Sequence, residues 1–177
     1  MTTLEHSIAQ LIERGAELPL LPKNTWMEAL SEDILAMDSR ELASEDAPEW
    51  AADAMKSALL LWNDDLHASH DISQQLEEST GSLLHGMMHR REGDFSNASY
   101  WYQGVGDHPI FPALLEKSKA VYPEIFAEQT TWNAPQFIQL VNQATSEKDA
   151  VLIATCQRVQ QIEMHLIVDY IASLSVS

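Results

Sequence analysis

Apolar residues recur about every three to four positions along most of this chain, which is the spacing of one face of an α-helix. No stretch shows sustained alternation of apolar and polar residues with the β-branched enrichment typical of strands. The pattern therefore predicts an all-α protein with no sheet. The chain has 177 residues, enough to bury one core without disulfides. We expect a single-domain bundle of about seven to nine helices over residues 1–177.

Glycine, proline and helix-capping residues divide this pattern into segments. Gly15 ends the first predicted helix, and Pro48 opens a long one with a break near residues 67–73. Thr80 is a candidate cap for the helix after that. The predicted helices span residues 3–14, 25–37, 48–76, 82–91, 97–103, 113–121, a segment starting at 135, and 147–174.

The charge balance argues against several classes of partner. There are 27 acidic and 10 basic residues, and the net charge of −17 repels nucleic-acid phosphates and anionic lipid headgroups. No apolar run approaches the roughly 18 residues of a membrane-spanning helix, and the N-terminal residues show no secretory signal. Cys156 is the only cysteine, so no internal disulfide can form. We expect a cytoplasmic protein that binds neither nucleic acid nor membrane, and the sequence leaves a homo-oligomer open.

The segment from residue 67 to residue 109 concentrates the residue types that carry chemistry. It holds five of the seven histidines and five of the six glycines, and Arg90 and Arg91 lie within it. A buried imidazole, guanidinium or carboxylate must find a partner, so a helical scaffold has no need of such a density. If the protein has a functional site, we expect it in this segment.

Four histidines of this segment are candidate metal ligands. His85 and His89 are four residues apart, so a helix places both on one face, with Cβ atoms about 5–6 Å apart. Asp64, His67 and Asp71 form a polar stripe on the preceding helix. Such donors suit Zn, Mn, Ni or Fe. The alternative is a structural network of neutral, hydrogen-bonded histidines. The candidate ligands are His67, His70, His85 and His89, with Glu163 and His165 as further donors if the last helix packs here.

Arg90 and Arg91 support a second hypothesis, that the protein binds a small anionic ligand. They follow His89, where a positively charged pocket in an acidic protein can hold a phosphate or a carboxylate. Alternatively, each arginine pairs with a nearby carboxylate and has only a structural role, and Trp101 is part of the core. The predicted ligand-binding residues are Arg90, Arg91, Asp94, Asn97, Tyr100 and Trp101.

Both hypotheses describe a polar pocket that binds a metal ion or a small anion. If the protein is an enzyme, we expect metal-assisted hydrolysis, with Glu92 or Asp64 as the base and the arginines stabilising negative charge. The alternative is a non-enzymatic interaction module whose histidines form a structural network. His108 follows Gly106 in a turn, and we expect it to be an exposed loop histidine rather than one that folds back over the hairpin.

Two resemblances accompany these residues. Part of the segment resembles one tetratricopeptide-type helical hairpin over about 25 residues, without a second copy, and with His85 and His89 at inward positions. The amino-acid sequence from Asn63 to Pro109 also resembles an uncharacterised all-helical bacterial family with the motif HGxxHRREGDFxNAxYW. That resemblance implies the fold and the location of the site and no reaction. The residues that resemble the hairpin are Leu84, His85, Gly86, Gly93, Asp94, Phe95, Ala98 and Tyr102.

Overall fold

A computed structural model describes residues 2–15 and 18–174, and every regular element within them is a helix. The predicted all-α class without a sheet is confirmed for this part of the chain. The helices are α1 (Thr3–Glu13), α2 (Glu28–Ala36), α3 (Ser39–Leu42), α4 (Ala51–Trp62), α5 (Leu66–Ser73), α6 (Ser79–Glu92), α7 (Phe95–Tyr102), α8 (Phe111–Val121), α9 (Pro123–Phe126), α10 (Ala134–Glu147) and α11 (Ala150–Ala172).

The eleven helices in the described ranges exceed the predicted number for two reasons. Helices α3 and α9 have four residues each, too few to show a helical period in the sequence. The predicted long helix is also two helices, because α4 ends at Trp62 and α5 starts at Leu66. Asp64 lies between them with a φ of 62°, a left-handed conformation that Asp adopts more readily than most residues. The break therefore comes earlier than predicted.

Helix α4 lies at the centre of the bundle. Ten of its twelve residues are buried, all except Asp53 and Lys56. It packs against α1, α2, α3, α5, α6 and α11. A helix that is apolar on nearly all sides is stable only when other helices surround it. The buried apolar side chains of the described residues form a continuous core around α4 and α11.

Helices α6 and α7 form the hairpin that the sequence predicted in this segment. Gly93 ends α6 with a φ of 90°, and the Asp94 side chain caps α7 by accepting a hydrogen bond from the Asn97 backbone N–H. A Cβ atom at Gly86 would lie 2.8 Å from the Tyr102 ring, so the missing side chain allows the two helices to pack closely. The likeness of this hairpin to a tetratricopeptide unit stays a prediction.

Thr80 does not cap α6, contrary to the prediction. The helix begins at Ser79, so Thr80 lies inside its first turn, where it is buried. Its hydroxyl instead pairs with Nε2 of His108 at 3.1 Å. Across residues 2–15 and 18–174, no helix combines the length and the apolar character that crossing a membrane requires.

Candidate metal centre

Three histidines from two adjacent helices converge at one point. Helix α5 supplies His70, and α6, which packs against it, supplies His85 and His89 from successive turns. One ligand nitrogen from each ring lies within 4.8 Å of the other two. In the described part of the chain, no other group of three or more His, Cys, Asp or Glu side chains converges in this way.

The spacing of the rings is close to that of metal ligands. The Nε2 atoms of His85 and His89 lie 2.9 Å apart, and the His70 ring centroid is 4.7 Å from that of His85. Imidazole nitrogens bound to one tetrahedral zinc ion would be about 3.3 Å apart. The three ligand nitrogens, all within 4.8 Å of one another, would therefore have to shift relative to one another by no more than about 1.5 Å to bind one ion.

Glu92 determines which nitrogen of the neutral His89 ring carries the proton. Its Oε2 atom lies 3.1 Å from His89 Nδ1, and a carboxylate can only accept a hydrogen bond. The proton of the neutral His89 ring is therefore on Nδ1, which leaves a lone pair on Nε2. A carboxylate that orients a ligand histidine in this way is the usual outer partner in zinc sites.

His85 lacks a full set of partners within the described chain. Its Nδ1 atom is buried and has no hydrogen-bond partner there, and its Nε2 faces the lone pair of His89. The Trp101 ring stacks on it with a centroid distance of 3.9 Å, which shields one face. Burial, together with the neighbouring His89 and His70, lowers the pKa of His85 from 6.5 to about 4. The ring is therefore neutral at pH 7, the form that binds metal ions.

The cluster lies at the edge of the bundle, where an ion can reach it. The His70 side chain is 32% exposed, whereas His85 and His89 are nearly buried. Asn97, in the first turn of α7, places its amide nitrogen 3.0 Å from Nε2 of His89. The cluster thus combines three imidazoles with one amide donor and access from solvent.

His67 lies apart from this cluster, although the sequence placed it among the candidate ligands. Its side chain is 90% exposed, and its Nε2 is 3.7 Å from Asp71. Helix α5 buries the face that carries Ser69 and Ser73, and His67 is on the opposite face. The geometric ligand set is therefore His70, His85 and His89.

Arg90 also lies away from the histidines. It is fully buried and pairs with Glu163 of α11 at 2.5 Å, while its other terminal nitrogen donates to the Tyr102 hydroxyl at 3.0 Å. Its guanidinium also stacks over the Phe137 ring. Burial by itself would lower the pKa of Arg90, but the Glu163 carboxylate outweighs this and raises it. The alternative of a structural ion pair thus fits Arg90 better than capture of an anion.

Arg91 and Asp64 belong to a second buried ion pair. Asp64 accepts hydrogen bonds from Arg91 and from Arg14 of the segment after α1, and Arg91 also donates to the Leu61 carbonyl. Burial lowers the pKa of Arg91 to about 10, against the opposing effect of Asp64. Asp64 is thus engaged by two arginines and does not lie where it could act as a base for the cluster.

The remaining candidate residues differ in whether they contact the histidines. Asp94 is exposed and caps α7, and Tyr100 is 67% exposed with its ring edge against Trp101. Trp101 and Asn97 contact the cluster directly. The side chain of Glu92 is 58% exposed and is held by His89. Of the predicted ligand-binding residues, only Asn97 and Trp101 touch the histidines.

Two further histidines, His108 and His165, lie outside the cluster, and His108 also differs from its predicted exposure. His108 is not an exposed loop residue, because it is 1% exposed and lies against Thr80 of α6. His165 packs its ring edge against Trp62, with centroids 4.7 Å apart, and does not join the cluster. The contact of His108 with α6 matches the alternative in which it folds back over the hairpin, and which alternative holds depends on how distant helices pack.

Comparison with protein-family models, curated proteins and solved structures finds no match to this chain. The resemblance to an all-helical bacterial family stays a prediction. The geometry of the three histidines and their neighbours is therefore what bears on function.

Proposed function

We propose that this protein binds one divalent transition-metal ion through His70, His85 and His89. The observation that carries the proposal is the convergence of their three ligand nitrogens within 4.8 Å. The unpartnered Nδ1 of His85 supports it, because a buried polar atom without a partner is costly and a bound ion is one way to satisfy such a ring. The neutral His85 ring has one lone pair to offer an ion, while its Nε2 also lies 2.9 Å from Nε2 of His89.

The donor set narrows the choice of metal. Three imidazoles suit Zn, Ni or Fe, whereas Mn prefers carboxylate, carbonyl and water oxygens. Cys156 adds no thiolate to this set, because it is buried in α11 and is not part of the converging group. We therefore place Zn, Ni and Fe before Mn.

Three protein ligands leave one coordination position open, which is typical of catalytic rather than structural zinc sites. Such an ion acts as a Lewis acid and makes a bound water molecule acidic near neutral pH. Metal-assisted hydrolysis is therefore the reaction class that we propose. In this arrangement Glu92 orients His89 through its contact with Nδ1.

The first test is elemental analysis of untagged protein purified without chelator. We expect close to one transition-metal ion per chain in the natural protein, and none in the double variant His85→Gln with His89→Gln. The matched control is His67→Gln, which removes an exposed imidazole outside the cluster and should keep the metal. Circular dichroism checks that the double variant remains helical.

Two results would contradict the proposal. One is metal-free natural protein whose melting temperature does not rise with added Zn, Ni, Fe or Mn, since a ligand that binds only the folded state must stabilise it. The other is a double variant that retains its metal. Either result would leave the histidines as a structural network.

A further inference from the structure

Asn97 holds a hydrogen-bond donor beside the ligand atom of His89. Its amide nitrogen is 3.0 Å from His89 Nε2, and the backbone N–H of the same residue is used separately, in the cap provided by Asp94. The side chain is partly buried at the start of α7. The amide is therefore positioned at the cluster without being needed to end or start a helix.

A metal ion would remove the acceptor that this amide faces. Glu92 holds the His89 proton on Nδ1, so the only lone pair of the ring is on Nε2. An ion bound to Nε2 uses that lone pair and leaves the Asn97 N–H without a partner. A partly buried donor left in this way favours an acceptor close by, and the nearest new one is an atom in the open coordination position.

The charge of the ligand set indicates what kind of atom would occupy the open coordination position. Three neutral imidazoles leave the double positive charge of the ion uncompensated among its direct ligands, and Glu92 neutralises part of it only from outside. An anionic oxygen in the open position both balances charge and accepts a hydrogen bond from an amide. A neutral water molecule would do only the second.

We propose that the open position takes a small oxyanion, a carboxylate or phosphate group, whose metal-bound oxygen accepts a hydrogen bond from the Asn97 amide. This inference rests on the proposed metal site. It names the ligand class that the sequence assigned to Arg90 and Arg91, and places its recognition at the metal and at Asn97 instead.

The test uses full-length protein loaded with Co²⁺, whose visible absorption changes when a ligand enters its coordination shell. Acetate and inorganic phosphate are titrated separately at constant ionic strength. In Asn97→Ala we expect Co²⁺ to bind as in the natural protein and both anions to bind about tenfold more weakly. Asn97→Asp should weaken both further by charge repulsion. The matched control is Asn142→Ala, an exposed asparagine on α10, which should behave as the natural protein.

The outcomes separate the two proposals. A natural protein that takes up no Co²⁺ overturns both. Uptake of Co²⁺ without a spectral response to acetate or phosphate overturns the oxyanion and leaves the metal site. Equal anion affinity in Asn97→Ala and the natural protein overturns the role of Asn97, whereas the predicted weakening in both Asn97 variants, with Co²⁺ retained, supports it.

Discussion

Helix α6 carries two pairs of buried polar residues, and they differ in whether the rest of the chain supplies their partners. Arg90 and Arg91 each reach a carboxylate on another segment, so their charge is balanced within the protein, although the Nε atom of each also has no hydrogen-bond partner in the described chain. His85 and His89 face each other and His70, and one nitrogen of His85 has no partner in the described chain. The two pairs are adjacent in sequence but lie in different environments.

This difference separates residues that hold the fold from the residues that we propose bind a metal ion. A buried ion pair links helices that are distant in sequence, here α6 with α11 through Arg90 and Glu163. The imidazole cluster contains no such pair of opposite charges. Its unpartnered nitrogen leaves a group that is able to coordinate an ion. Pairing with a buried opposite charge therefore distinguishes the two arginines on α6 from the two histidines.

The largest effect should come from breaking the ion pair on one side. Arg90→Met leaves Glu163 charged and buried without its partner, which typically costs about 3–5 kcal/mol of stability. Urea denaturation followed by circular dichroism measures this loss.

The matched variant is Arg90→Met combined with Glu163→Met, which replaces both charges with side chains of similar volume. Removing both members of a buried pair is often close to neutral, so the double variant should recover most of the stability. Tyr102, which bonds to both charged groups, would still need a partner and limits this recovery. A double variant no more stable than Arg90→Met would show that the pair itself is not what the single change disrupts.

A smaller effect is expected at the histidines, and on metal affinity rather than on folding. Glu92→Gln removes the carboxylate that orients His89, and loss of such an outer partner typically weakens metal binding by about 10–100-fold. Because the Glu92 side chain is more than half exposed, stability should change little. Competition with a chromogenic chelator measures the affinity. Glu124→Gln, an exposed carboxylate on α9, is the control, and an equal loss there would argue against a specific role for Glu92.

The smallest effect concerns His108, a buried imidazole whose two nitrogens both have partners. Its Nδ1 accepts from the Ile110 backbone N–H, so its Nε2 donates to Thr80. Burial lowers the pKa of His108 from 6.5 to about 4. The unfolded chain therefore binds this proton at a higher pH than the folded protein does. The contribution to stability is complete above about pH 6.5 and is lost as the pH falls toward 4.

Between pH 7.5 and 5.5, His108 should account for about 1 kcal/mol of lost stability. Urea denaturation at both pH values, without added metal, measures it in the natural protein and in His108→Gln. The variant should be less stable at both and show a smaller difference between them. His67→Gln, which changes an exposed histidine, should keep the full difference. An unchanged difference in His108→Gln would assign the acid sensitivity to other groups.

Spacing along single helices predicted part of the site and none of its long-range partners. The four-residue separation placed His85 and His89 on one face of α6, as the structure shows. The same reasoning included His67, because a helical period cannot tell which face of α5 is buried. The partner of Arg90 could not be found in this way, since Glu163 lies 73 residues away.

The sequence by itself determined the helical class, the approximate location of most of the described helices and the segment that carries the candidate site. These depend on local properties, namely the apolar period and the conformations that Gly, Pro and Asp adopt. Only the tertiary structure decided which polar groups are paired. That outcome depends on how α5, α6, α7 and α11 pack, because packing brings Glu163 to Arg90 and Asp64 to Arg91 while it leaves His70, His85 and His89 facing one another.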